Sequence, residues 1–222
     1  MPPGVSVIAI DGPAAAGKTA VGRELARTLG FAYLDTGIMY RAITWLALNQ
    51  EISIADTTSL GELAHDNPLG FVKDDGTKVM VAGLTLGPEL REASVDRNVS
   101  EVSKATEVRS ELVAQQREVA AKGKIVMIGR DIGTVVLPDA DLKVYLTASP
   151  EVRAQRRWHE MQDRGQVVEL LTVLSETITR DRIDSSREDS PLKPAEDSWQ
   201  LNTDGHGIPQ VVRMIIDRAE TL

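Results

Sequence analysis

Lys18 and Thr19 close the octet Gly12-Pro13-Ala14-Ala15-Ala16-Gly17-Lys18-Thr19, and Ala20 follows directly. The octet matches G-x-x-x-x-G-K-[ST] in full, a spacing that wraps successive backbone N–H groups around one anion. The lysine reaches the β- and γ-phosphates of a nucleoside triphosphate, and the threonine hydroxyl is the expected Mg²⁺ ligand. Gly12 and Gly17 permit the tight backbone path. Gly12 to Ala20 is therefore the candidate segment for binding a nucleoside triphosphate. The bare pattern would also suit a Gly/Ala-rich strand-to-helix turn with an incidental lysine, so the flanking elements matter.

Arginines form the second set. Arg41 and Arg130 follow expected strands. Arg153, Arg156 and Arg157 share one helical face at i, i+3 and i+4, and Arg180, Asp184 and Arg187 fall at i, i+4 and i+7. Guanidinium forks match phosphate oxygens and keep their charge. Such stripes are ordinarily solvated faces. In a chain of net charge −8, beside a phosphate loop, they point instead to anions held in a focused site. One triphosphate does not require so many arginines. Two phosphate groups, one on each side of a transfer, do.

Other chemistries lack their residues. There is no Asn-Lys-x-Asp guanine reader and no His-Arg-Asp kinase loop, and the strand expected over Lys124–Ile128 ends in isoleucine rather than an acidic metal-binding residue. A kinase acting on an alcohol benefits from a base, whereas a phosphate acceptor is already anionic. Catalysis then reduces to in-line positioning and charge neutralisation.

The elements that must position these residues alternate as strands and helices. Val5–Ile10 is a β-branched apolar run before the loop, and Val21, Leu25 and Leu29 recur at helical spacing after it, with Gly30 as the stop. Phe31–Leu34 reads as a second strand, followed by Asp35-Thr36-Gly37 and a helix over Ile38–Leu48. Ligands lie at the carboxyl ends of parallel strands, so Asp35, Thr36, Tyr40 and Arg41 share the rim of the phosphate loop. Asp35 suits a helix cap or a ligand to a metal-bound water equally. Glu51–Pro68 carries no evident chemistry, and His65 reads as a surface histidine. Phe71–Lys73 and Lys78–Val81 flank Asp74-Asp75-Gly76-Thr77, a hairpin signal, with a third strand over Ala82–Leu86. Ser94–Ala121 reads as mainly helical, with Thr106 as an N-cap and Gly123 as the stop. Leu142–Leu146 and Trp199–Asn202 read as strands, and Ser149–Met161, Val168–Ser186 and Ile208–Ala219 as helices, with a break at Asp163-Arg164-Gly165.

The chain has 222 residues, 42% of them apolar and none of them cysteine. One substantial domain is expected, without disulfides or thiolate metal sites. No signal-peptide pattern opens the chain and no apolar run approaches the ~18 residues of a membrane span. A cytoplasmic enzyme is expected. The acidic balance argues against nucleic-acid polymers as partners.

The segments IDGPAAAGKTAVG, YLDTGIMYRA, GRDIGTVVLPDADLKVYLTAS, RAQRR and RDRIDSSREDSPL together resemble bacterial cytidylate kinases, the CMP kinase branch of the nucleoside monophosphate kinases, over nearly the whole chain. The resemblance implies a P-loop three-layer α/β/α fold with a central parallel sheet. It also implies a monophosphate-binding region over about 36–110, an antiparallel insert over about 70–87 and a helical lid over about 150–168. It implies Arg41, Arg130 and Arg187 on the acceptor phosphate, with Thr36 and Tyr40 lining that pocket. Ser100 and Arg109 would face the cytosine edge, Asp131 would accept from its exocyclic amino group, and Arg180 and Asp184 would hold the ribose hydroxyls. Arg156 and Arg157 would close over ATP and the transferring group. Lys18, Arg130, Arg156, Arg157 and Arg187 are thus the expected catalytic set, acting on ATP with CMP or dCMP in a monomeric enzyme.

Two positions depart from the family pattern. Ala15 stands where glycine is frequent, which is tolerable if its backbone angles are ordinary and bears only on loop detail. Ile128 stands where an acidic residue is common before Gly-Arg-Asp, which leaves metal holding to Thr19, the ATP phosphates and Asp35. The rivals are another small P-loop kinase, acting on a different monophosphate or a small metabolite, and a binding module that transfers nothing.

Overall fold

The structure is a computed structural model and describes residues 4–71, 78–186 and 189–222. Strand β1 (Val7–Asp11) runs through the phosphate loop into helix α1 (Lys18–Leu29), which Gly30 ends in the left-handed conformation. Next come β2 (Ala32–Asp35), α2 (Thr36–Asn49) and α3 (Thr57–Asp66). Strands β3 (Gly70–Phe71), β4 (Val79–Val81) and β5 (Leu84–Leu86) form a separate antiparallel sheet. The expected insert is therefore present, while its turn, Asp74–Thr77, lies outside the described residues. A 3₁₀ turn (Pro88–Arg91) leads to α4 (Ala93–Val102) and α5 (Thr106–Ala120). Then follow β6 (Ile125–Ile128), a π-helical turn (Ile132–Val136), β7 (Leu142–Thr147), α6 (Pro150–Asp163), α7 (Leu170–Ser185), β8 (Trp199–Asn202) and α8 (Ile208–Ala219).

The main sheet has the order β2-β6-β1-β7-β8, parallel throughout. Its strands are covered on both faces, which explains their nearly continuous apolar runs. Ile8, Ile10, Val126 and Ile128 pack with Val21 and Leu25 of α1 and Ile215 of α8. The alternate residues Ala9, Ile125 and Met127 pack with Ile43 of α2 and Leu112 of α5. Period-two alternation thus divides one sheet between two helical layers. Every strand carboxyl end then lies at one rim, which carries the phosphate loop after β1, Asp35 after β2 and Arg130 after β6. Among the described residues no helix is long and apolar enough to cross a membrane.

One local expectation is corrected, and the condition set on Ala15 is not met. Thr106 is the first residue of α5 rather than its cap, a position held by Ala105, and its hydroxyl donates to Asp189. Ala15 has φ 58°, in the left-handed region, so its angles are not ordinary. A Cβ there costs about 1–2 kcal/mol relative to glycine, and the loop holds that strain beside the phosphate cradle.

Candidate active site

Gly12 has φ 144°, and a Cβ on it would lie 2.1 Å from the Leu146 carbonyl oxygen, so only glycine lets the loop pass over β7. Gly17, also left-handed, starts α1. Lys18 is buried, and its Nζ donates to the carbonyls of Gly12 and Pro13, each at 2.7 Å. Burial, and then the neighbouring Arg130 charge, hold its pKa well below the usual lysine range. An anion in the loop would reverse both effects.

Asp35 takes the capping role, and its second oxygen meets Thr19. Its Oδ1 accepts from the Gly37 N–H as the α2 cap, and its Oδ2 accepts from Thr19 Oγ1 at 3.2 Å. In the sheet register Asp35 is the partner of Ile128. A carboxylate from β2 therefore stands beside the strand end where β6 supplies isoleucine. Thr19 and Asp35 are hard oxygen donors of the kind Mg²⁺ selects, and among the described residues no group of three acidic or histidine side chains could hold an ion alone. This fits a metal held by one or two protein oxygens together with substrate phosphates.

A single cleft of about 990 Å³ joins the loop to the arginines, at the upper end of the range for small-molecule sites. Arg41, Arg130, Arg156, Arg157 and Arg180 all line it. Arg130 Nε donates to Asp184 Oδ2 at 3.0 Å. Arg180 Nε is buried without a hydrogen-bond partner, and burial, reinforced by Arg130, lowers its pKa to about 10. Arg41 donates to the Leu90 carbonyl at 2.8 Å and to Asp96 at 2.7 Å. Arg156 reaches the side chain and carbonyl of Thr203, both at 3.0 Å, on the loop after β8. Arg153, the third arginine of that helical face, is buried and forked onto Asp181, which ties α6 to α7. It is a clamp rather than a cleft residue.

Arg109 and Asp131 form a buried pair through Nη2 and Oδ2. Arg109 also donates to Ser190 Oγ at 2.8 Å and to the Tyr40 hydroxyl at 3.3 Å. Thr36, also in the cleft wall, donates to the Ile128 carbonyl at 3.0 Å. Ser103 and Val99 line the cleft, whereas Ser100 does not; it meets Ser103 through its carbonyl. Arg187 lies outside the described residues. Arg23, Arg91 and Arg164 also line the cleft, and sequence spacing did not single them out.

The sequence also concealed Asp11. It is buried at the end of β1, and its two oxygens accept from the backbone N–H groups of Ile132 and Gly133 at 2.8 and 2.7 Å. It therefore anchors the turn that carries Arg130 and Asp131. Burial raises its pKa to about 6 against the pull of those two bonds. Asp11→Asn keeps one acceptor and turns an NH₂ group against the other N–H. The lost bond costs about 1–3 kcal/mol, while removal of a buried charge recovers about 3 kcal/mol at neutral pH. Near pH 7 the variant should therefore unfold at much the same denaturant concentration as the wild type. Its activity should fall roughly 10–100-fold, because small displacements of positioned groups cost that much. The sign of the pH effect follows from linkage. Between pH 4 and 6 native Asp11 binds more proton than the unfolded chain, so its contribution to stability falls as pH rises. Denaturant titrations across that window should show the variant gaining on the wild type by about 3 kcal/mol; a constant gap would contradict the raised pKa.

The sequence model of the family described as cytidylate kinase matches residues 8–221. A protein named cytidylate kinase from Streptococcus sanguinis is 45% identical over 97% of this chain and 96% of its own length. One of the same name from Streptococcus agalactiae serotype V is 46% identical over the same shares. Among solved structures, an uncharacterized protein from Eubacterium ventriosum aligns with TM-score 0.52 at 13% identity over 98% of this chain and 99% of that one. A gluconokinase from Sinorhizobium meliloti aligns with TM-score 0.50 at 12% identity, over 97% and 92%. These structural likenesses concern the fold alone.

Proposed function

Because the chain belongs to the cytidylate kinase family, we propose that it transfers the γ-phosphoryl group of ATP to CMP and dCMP, giving ADP with CDP or dCDP. The observation that carries this assignment is the buried Arg109–Asp131 pair in the same cleft as the phosphate loop. Cytosine presents acceptors at O2 and N3 and a donor at its amino group. Arg109 offers donors and Asp131 an acceptor, whereas uracil would set a carbonyl against the carboxylate.

In the transfer, an oxygen of the CMP phosphate forms a bond to the γ-phosphorus as the bond from that phosphorus to the β–γ bridging oxygen breaks. No base is required, since the attacking oxygen is anionic. Lys18 neutralises charge at the β- and γ-phosphates, Arg156 and Arg157 act at the transferring group, and Arg41, Arg130 and Arg187 hold the acceptor phosphate. Thr36 and Tyr40 shape that pocket. Ser103, which lines the cleft where Ser100 does not, is the serine beside the base, and Arg180 and Asp184 address the sugar. Thr19 and Asp35, with the ATP phosphates, would hold Mg²⁺, which would supply charge neutralisation at the triphosphate. The monophosphate-binding region spans about 36–110 and the lid about 150–168. The lid assignment is supported by α6 and by the bond from Trp158 Nε1 to the Val168 carbonyl, 2.9 Å.

A coupled assay over CMP, dCMP, UMP, AMP and GMP tests the assignment. CMP and dCMP should be turned over with ATP, and the other three with kcat/KM lower by roughly 10²-fold or more. ATP alone should be hydrolysed slowly. Equal use of every monophosphate would point to a different kinase, and ADP formed without CDP would exclude the transfer.

A further inference from the structure

Asp96 lies in the first turn of α4 and is not part of the cleft wall. Its two oxygens nevertheless address two arginines that are. Oδ1 accepts from Arg41 Nη2 at 2.7 Å, and Oδ2 stands 3.8 Å from Arg157 Nη2. Arg41 comes from α2 and Arg157 from α6, so one carboxylate links opposite sides of the cleft.

We propose that Asp96 is a positioning residue for phosphoryl transfer, an inference that rests on the activity proposed above. It holds Arg41 edge-on between its own carboxylate and the Leu90 carbonyl, and it offsets the repulsion between Arg41 and Arg157. Like charges so gathered disfavour one another: burial first, then Arg130, with Arg41 and Arg157 adding less, lowers the Arg180 pKa. Two arginines kept in place before substrate arrives need no reordering when the phosphate binds. The carboxylate sits behind the guanidinium groups rather than in the cleft, so it orients them without filling the phosphate position.

The test uses Asp96→Asn, close in shape and partly exposed, and Asp96→Glu, which keeps the charge. Asp96→Asn should raise KM for CMP about tenfold and lower kcat several-fold, with KM for ATP unchanged. Binding of cytidine, which lacks the phosphate, should be unaffected, and Asp96→Glu should recover part of the loss. In an Arg41→Ala background the same substitution should have little further effect on KM for CMP, a non-additivity that a purely structural role would not produce. Wild-type-like or improved use of CMP by Asp96→Asn would overturn the proposal and make the carboxylate a competitor of the phosphate. Failure of the wild type to phosphorylate CMP would instead overturn the assigned activity, and this proposal with it.

Discussion

Replacing Lys18 with methionine should lower kcat roughly 10³-fold while leaving a folded protein. Lys18 Nζ sits between the carbonyls of Gly12 and Pro13 and points into the phosphate loop. Negative charge shifts toward the β–γ bridging oxygen as the γ-phosphoryl group leaves, so a cation fixed there acts most strongly in the transition state. Burial already disfavours the ammonium, as its lowered pKa records. Methionine matches the stem in length and removes a buried, poorly solvated charge, which limits the loss of stability. Two carbonyls lose a donor, that of Gly12 buried and that of Pro13 part-buried, at a cost of about 1–3 kcal/mol. The prediction therefore separates two quantities. Thermal unfolding should move by a few degrees, and single-turnover transfer to CMP should slow by orders of magnitude. Near-normal turnover would remove Lys18 from the catalytic set.

The parts of this site legible in the sequence are those whose partners are close in the chain. The loop, its strand and its helix form one continuous stretch, and Asp35 caps a helix that starts one residue later. The remainder depends on contacts across more than 20 residues. Asp11 reads as the residue just after an apolar strand, and nothing in the sequence announces that Ile132 and Gly133 will donate to it. Asp96 is one more acid on a helix until α2 and α6 bring Arg41 and Arg157 to it. Helical periodicity puts Arg153, Arg156 and Arg157 on one face without saying which meets α7. Packing decides that Arg153 is buried on Asp181 while the other two reach the cleft. The Ala15 backbone conformation is hidden for a related reason. The left-handed angle is imposed by the loop as a whole, and residue type alone does not reveal it.

Asp131→Ala should lower kcat/KM for CMP roughly 10²–10³-fold and leave ATP binding near its wild-type value. Two losses combine. The cytosine amino group forfeits a charged acceptor, and Arg109 forfeits the carboxylate that fixes its fork. Arg109 is buried, with Ser190 and Tyr40 as its other partners. Stranding that charge costs about 3–5 kcal/mol of stability, so the alanine variant is also expected to melt early. Asp131→Asn supplies the control that stability alone cannot mimic. Its amide oxygen can still accept from cytosine, and its NH₂ can instead donate to the uracil carbonyl. The CMP-to-UMP ratio of kcat/KM should therefore collapse toward unity in the asparagine variant at temperatures where it is fully folded. If asparagine lowers the use of all monophosphates equally, Asp131 supports the cleft without reading the base. The choice of cytosine would then have to reside in another wall of the same cavity.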